Sequence, residues 1–214
     1  MTEPADVAID PWQRVASSHD RRRYELFMLA APVFARHGFR GATVRALAHA
    51  CHLSPAGLYH HFSSKEQLAT YALRSPRAGW HATFIDPAAD PLIQLREMLD
   101  LSVNQLPVYL LSLCMLEEIG GPSGENLRRA TFREGEQMLA RFVNAAAPAL
   151  ERDAAEELAR LLIAVLVGSA FAEADVDSTV LRSRLAALLR DRLVPKHLAA
   201  DHFERVLAGW LGGG

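Results

Sequence analysis

The chain has 214 residues, half of them hydrophobic and 22% charged, with a formal net charge of -2; this excludes a disordered or collagen-like polymer and predicts one large globular domain or two modest ones. Two cysteines, Cys51 and Cys114, exclude a disulfide framework and suit a reducing cytoplasm. The polar stretch from Met1 to Arg23 does not read as a secretory signal, and the longest apolar stretch, Leu161 to Phe171, is about half of the roughly 20 residues a bilayer span needs, so the expectation is a cytoplasmic protein with no membrane partner.

Charge is unevenly spread. From Arg14 to Arg74 nine basic residues face three acidic ones, and six of the nine histidines fall there; from Ser75 onward 14 basic residues face 19 acidic ones. A basic head on an acidic body is the electrostatic footprint of a polyanion-binding module joined to a second function.

In chain order the periodicity is helical throughout, and the expected fold is all-α. Residues 1–19 read as an arm. A first helix from about Asp20 to His37 places Leu26, Ala30, Val33 and Phe34 on one face and ends at Gly38, with Pro32 expected to kink it. Thr43 begins a short helix through Ala50, Cys51-His52-Leu53 turns, and a third helix starts with Ser54 as cap and Pro55 at its first position. Ser63 or Ser64 caps a fourth helix from Lys65. Breaks at Asp86-Pro87, Leu106-Pro107, Gly120-Gly121-Pro122, Ala147-Pro148 and Val194-Pro195 leave helices at about 91–105, 107–118, 124–146, 152–172, 178–193 and 199–210. The expected domains are 20–74 and 75–214, with about nine to ten helices in all.

Residues 43–62 have the layout of a helix-turn-helix, in which the first helix braces on the DNA backbone and the second enters the major groove. Leu47, Ala48, Leu53, Leu58 and Phe62 are spaced to face inward, against Phe34 and Phe39. Neither short helix would persist alone in water, so an apolar clasp is a requirement.

The residues Leu26-Phe27, Phe34-Ala35-Arg36-His37-Gly38-Phe39, Ala42-Thr43-Val44-Arg45, Leu47-Ala48, Leu53-Ser54, Gly57-Leu58-Tyr59-His60-His61-Phe62 and Ser64-Lys65-Glu66-Gln67-Leu68 resemble the TetR family of bacterial regulators. The resemblance covers about 50 residues. It implies a transcriptional repressor that binds palindromic operator DNA as a homodimer and is released by a small-molecule effector; control by a protein partner, or by no ligand, is the alternative. By the same resemblance Thr43, Tyr59, His60 and Lys65 are expected on phosphates, and Arg45, Pro55, Ala56 and Gly57 near base edges. Pro55 and Ala56 depart from the Lys, Arg or Thr that many relatives carry. Arg21, Arg22 and Arg23 are expected to reach the DNA backbone or the minor groove from the arm.

Beyond Leu73 the resemblance is one of helix pattern. Apolar and sulfur-bearing residues with a few polar groups point to an effector pocket among Trp80, Phe84, Met98, Tyr109, Cys114, Met115, Phe132 and Met138. The last two main helices are expected to pair across a two-fold axis through Leu158, Leu162, Val165, Gly168, Leu181, Leu185 and Leu188. No nucleophile elbow, zinc-protease motif, phosphate loop or dinucleotide fingerprint is present, so no enzyme and no cofactor are expected. His49, Cys51, His52, His60 and His61 lack tetrahedral-site spacing, which argues against a metal. Glu117, Glu118, His197 and His202 read as solvated surface.

Overall fold

The computed structural model describes residues 17–74, 88–172, 177–194 and 196–211. Among the described residues every regular element is helical: α1 (Ser18–Gly41), α2 (Val44–Ala50), α3 (Pro55–His61), α4 (Lys65–Ala69), α5 (Tyr71–Arg74), α6 (Pro91–Ile119), α7 (Gly121–Ala146), α8 (Arg152–Ala172), α9 (Ser178–Leu193) and α10 (Ala200–Leu211). The fold is all-α.

The chain divides into two compact units. One is drawn from Met1–Thr83 and Leu111–Ile119, the other from Phe84–Leu110 and Gly120–Gly214. The last residues of α6 therefore group with the N-terminal helices, not with the rest of the C-terminal region.

In the first unit, α1 packs against α2, α4 and α5, and α2 against α3. Leu26, Phe27, Phe34, Leu47, Ala48, Leu58, Phe62, Leu68 and Tyr71 are buried. Cys51 is buried as well, and its thiol donates to the Leu26 carbonyl at 3.3 Å, so it serves as a small core residue. α1 starts at Ser18, two residues earlier than expected, because Ser17 accepts the Asp20 N–H at 3.1 Å. Pro32 does not kink it. The only non-helical residue inside α1 is Gly38, whose φ of 65° ends the helix proper before one further turn to Gly41.

In the second unit α7 packs along α8, α8 against α9, and α9 against α10. Arg182 ties α9 to α6: its Nε donates to Asp100 Oδ1 at 2.7 Å and its Nη2 to Asn104 Oδ1 at 3.0 Å. The Trp210 indole donates to the same Asp100 oxygen at 3.0 Å, which joins α10 to the network.

The break expected at Pro107 does not exist: α6 is continuous from Pro91 to Ile119. A proline removes one N–H donor and crowds the preceding turn, a cost of about 3 kcal/mol. Burial of Leu95, Leu99, Val103 and Leu106 before it, and of Leu113, Met115 and Leu116 after it, outweighs that cost at about 1.5–3 kcal/mol per side chain. Pro107 itself is exposed. By length and composition α6 is long and apolar enough to cross a membrane, a property that the buried core helix of a water-soluble protein shares. It exceeds the Leu161–Phe171 stretch that stood out in the sequence. α7 begins at Gly121, earlier than expected, with Gly120 at φ 65°.

Candidate nucleic-acid interface

Residues 43–62 form the bent helix pair that the spacing predicts. Each short helix is started by a side chain: Thr43 Oγ1 accepts the Ala46 N–H at 3.2 Å, Ser54 Oγ accepts the Gly57 N–H at 3.0 Å, and Ser64 Oγ accepts the Gln67 N–H at 3.1 Å. The turn between α2 and α3 closes through the Leu53 N–H on the Ala48 carbonyl at 2.9 Å, with His52 at φ 56° in the left-handed region. Histidine tolerates that region better than most side chains.

The residues expected at a DNA surface differ in exposure. Arg45, Pro55, Ala56, Tyr59 and His60 are exposed, and Gly57 is half-buried behind its cap. Tyr59 leaves 49% of its surface in solvent, which is unusual for a large aromatic and ready for contact with another molecule. Among the described residues Arg45 makes no ion pair. Thr43 is exposed, and although its oxygen accepts Ala46, its hydroxyl proton is still available to a phosphate.

Lys65 differs. Its ammonium donates to the Phe39 carbonyl at 2.8 Å and the Ala42 carbonyl at 3.2 Å, and it lies 4.4 Å above the Phe39 ring centroid. One of its three N–H groups is left for any phosphate. Arg23 is similarly engaged, with its guanidinium 5.0 Å from the Phe62 ring and 4.9 Å from that of Tyr71, whose hydroxyl donates to the Asp20 carbonyl at 3.1 Å. Arg22 pairs with Glu25 at 3.0 Å. Arg22 and Arg23 are thus engaged within the first unit.

A cluster that the sequence did not announce lies beside the end of α3. The His61 ring centroid is 5.4 Å from that of His60 and 6.1 Å from that of His19. His61 Nδ1 and Arg23 Nε are buried without a hydrogen-bond partner. Burial first, then the like charges of His60, His19, Arg22 and Arg23, lower the His61 pKa. His19 and His61 are 42 residues apart in sequence, and the fold of the first unit brings their rings together. No group of three or more potential metal ligands occurs among the described residues.

Glu118, read from the sequence as solvated surface, is half-buried, and its carboxylate accepts the Arg40 N–H at 3.1 Å. His202 pairs with Asp90 at 3.1 Å. Of the candidate effector residues, Met98 and Met115 are buried, Tyr109, Phe132 and Met138 are half-buried and Cys114 is exposed; Cys114 and Met115 group with the first unit. Trp80 and Phe84 lie outside the described residues. Of the candidate pairing residues, Leu158, Leu162, Leu181 and Leu185 are buried within the single chain and hold its own core, whereas Val165 and Leu188 are half-buried and Gly168 is exposed.

Residues 28–72 match the family described as bacterial regulatory proteins, tetR family. The chain is 40% identical over 86 residues to the HTH-type transcriptional repressor KstR2 of Mycobacterium tuberculosis, a match covering 39% of this chain and 43% of that one. It is 32% identical over 84 residues to the HTH-type transcriptional regulator UidR of Escherichia coli, covering 34% and 42%. The match thus spans about two fifths of these relatives' length. Among solved structures, full-length TylP, a TetR regulator from Streptomyces fradiae, aligns with TM-score 0.58 at 21% identity, over 92% of this chain and all of that one. The TetR-family regulator PfmR of Thermus thermophilus aligns with TM-score 0.55 at 22% identity, over 77% and 97%. These likenesses show the fold, and the helix-turn-helix carries the sequence match. Residues 28–72 are thus similar to the DNA-binding domain of the bacterial regulatory proteins of the tetR family.

Proposed function

We propose that this protein is a cytoplasmic transcriptional repressor that reads palindromic operator DNA as a homodimer and lets go when a small-molecule effector binds its second unit. The observation that carries the reading is the outward start of α3, where Pro55, Ala56 and Tyr59 stand exposed beside Arg45 over a buried clasp. Arg45 bonds a guanine edge; Pro55 and Ala56 offer only small apolar contacts, so DNA shape supplements direct reading. Thr43, Tyr59, His60 and the remaining N–H of Lys65 hold phosphates. The related repressor and regulator named above support this role, in which the protein binds DNA and turns over no substrate.

One recognition helix reads too few base pairs for an operator, so a two-fold pair about 34 Å apart is required. The strip of exposed Ala164 and Gly168 with half-buried Val165 on α8, and of exposed Val180 with half-buried Leu188 on α9, is the pairing surface in this reading. A Cβ built on Gly168 meets nothing within 4 Å, so a partner helix has room to approach closely. In the second unit Met98, Tyr109, Phe132 and Met138 are the candidate effector wall. The test is selection of duplexes from a random pool by the full chain, followed by titration at several salt concentrations. A two-fold symmetric consensus with salt-sensitive binding supports the proposal, and recovery of no enriched sequence overturns it.

A further inference from the structure

From the interruption of α1 at Gly38 to its cap at Ala42 the chain forms a short junction, residues 38–42, before Thr43 caps the helix-turn-helix. Gly38 takes a left-handed φ of 65°, and the turn that follows presents the backbone N–H groups of Phe39 and Arg40 with no helical partner behind them. Those donors point at a carboxylate from far along the chain. Glu118 Oε2 accepts the Arg40 N–H at 3.1 Å, and hydrogen bonds from the Arg40 and Phe39 N–H groups hold the Glu118 carboxyl below the ordinary glutamate range. On its carbonyl side the same junction is held by Lys65, through Phe39 at 2.8 Å and Ala42 at 3.2 Å. The junction is therefore held at both polarities, by an anion on its N–H groups and a cation on its C=O groups. Gly38 is fitted to this arrangement, because a Cβ there would lie 2.6 Å from Glu118 Oε1.

Glu118 stands on the last turn of α6, an unbroken helix whose residues up to Leu110 group with the second unit and whose residues Leu111–Ile119 group with the first. We infer that Glu118 is the positioning residue through which α6 sets the placement of the helix-turn-helix: its carboxylate holds the 38–42 junction, and displacement of α6 releases that hold. The functional consequence rests on the DNA-binding reading above. The mechanical part does not. A charged acceptor on backbone N–H groups is about twice as strong as a neutral one, which suits a contact that must hold firmly and release as a unit.

The full-length chain tests this through the variants E118A and E118Q. Backbone amide exchange at Phe39 and Arg40 is expected to quicken by about tenfold in E118A, and less in E118Q, which keeps an acceptor oxygen without the charge. A nitroxide on the exposed native Cys114 and another at A46C, diluted with unlabelled protein, report the distance from α6 to α2. The distribution is expected to be narrow in the parent and broad or shifted in E118A, with the melting of the second unit unchanged. Affinity for the duplex selected by the parent is expected to fall by about tenfold. Unchanged exchange at the two amides, or an unchanged distance distribution, overturns the inference, and so does a released junction that binds the duplex as tightly as the parent. If the parent itself selects no duplex, the functional reading fails, and the exchange and distance measurements still decide the positioning role.

Discussion

Lys65 and Phe39 are joined twice: the ammonium donates to the Phe39 carbonyl at 2.8 Å and also sits 4.4 Å over the centre of its ring. One of the four residues that family resemblance assigns to phosphates is thus also a fastening of the first unit. Lys65→Met keeps the aliphatic stem and removes the charge. It is expected to cost stability of about 1–2 kcal/mol in chemical denaturation, from two charge-assisted bonds and a cation–π contact, alongside any loss of DNA affinity. A pure phosphate contact would weaken binding and leave the melting temperature in place.

Arg45→Ala and Tyr59→Phe separate base reading from phosphate holding. Arg45→Ala is expected to lose about 1–3 kcal/mol at the guanine it meets and to flatten preference there alone. Tyr59→Phe is expected to weaken all duplexes alike. Competition titrations against singly substituted duplexes distinguish the two patterns.

Protonation of His61 is expected to act in opposite directions on stability and on DNA binding. Its folded pKa lies below the ordinary 6.5 because of burial and neighbouring positive charge. The unfolded chain therefore takes up the proton first. Stability is fully present above about 6.5 and declines as pH falls from there toward the folded value. Phosphates brought to the cluster reverse the repulsion and raise the pKa, so duplex affinity is expected to increase over the same descent. His61→Gln should flatten both profiles, as read by thermal melts and by titrations across pH.

Leucine truncations and a glycine enlargement divide core from pairing surface. Leu162→Ala and Leu185→Ala, each fully buried in one chain, are expected to destabilise the protein by about 2–5 kcal/mol. Gly168→Trp meets open space in the single chain and is expected to leave it folded while blocking close helix approach. Sedimentation at equilibrium should then report monomers.

Gly57→Ala offers a complementary probe. The added methyl group lies 3.4 Å from Ser54 Oγ and 3.6 Å from Leu53 Cβ, ordinary contact distances at the tight end. Stability is expected to hold or to rise by about 0.5–1 kcal/mol, because alanine favours helix over glycine. Duplex affinity is expected to fall where the backbone of α3 approaches a base edge.

What the sequence disclosed and what it hid follow from separation along the chain. The starts of α2, α3 and α4 were legible because Thr43, Ser54 and Ser64 bond N–H groups three residues away, and a local rule sees the whole interaction. Pro32 and Pro107 misled, since a proline's local cost is plain and the burial that overrides it is not. Both prolines occupy exposed positions inside helices, and the interruption in α1 falls at Gly38 and not at Pro32. Glu118 and Arg40 are 78 residues apart, and His19 and His61 are 42 apart; no spacing rule joins them. Leu158, Leu162, Leu181 and Leu185 were read as pairing residues because an apolar stripe looks the same whether it faces its own chain or another. Burial in the single chain separates the two cases.

Glu118 and Lys65 hold the junction by main-chain atoms, the N–H of Arg40 and the carbonyls of Phe39 and Ala42. Any amino acid but proline offers the same amide, so the support beneath the reading head does not depend on which letters occupy the head itself. Under the proposed DNA-reading role, exchanges at the exposed Pro55 and Ala56 leave these main-chain bonds in place. A duplicated copy of such a gene can acquire a new address in the genome by a few surface exchanges, without first having to learn to fold again.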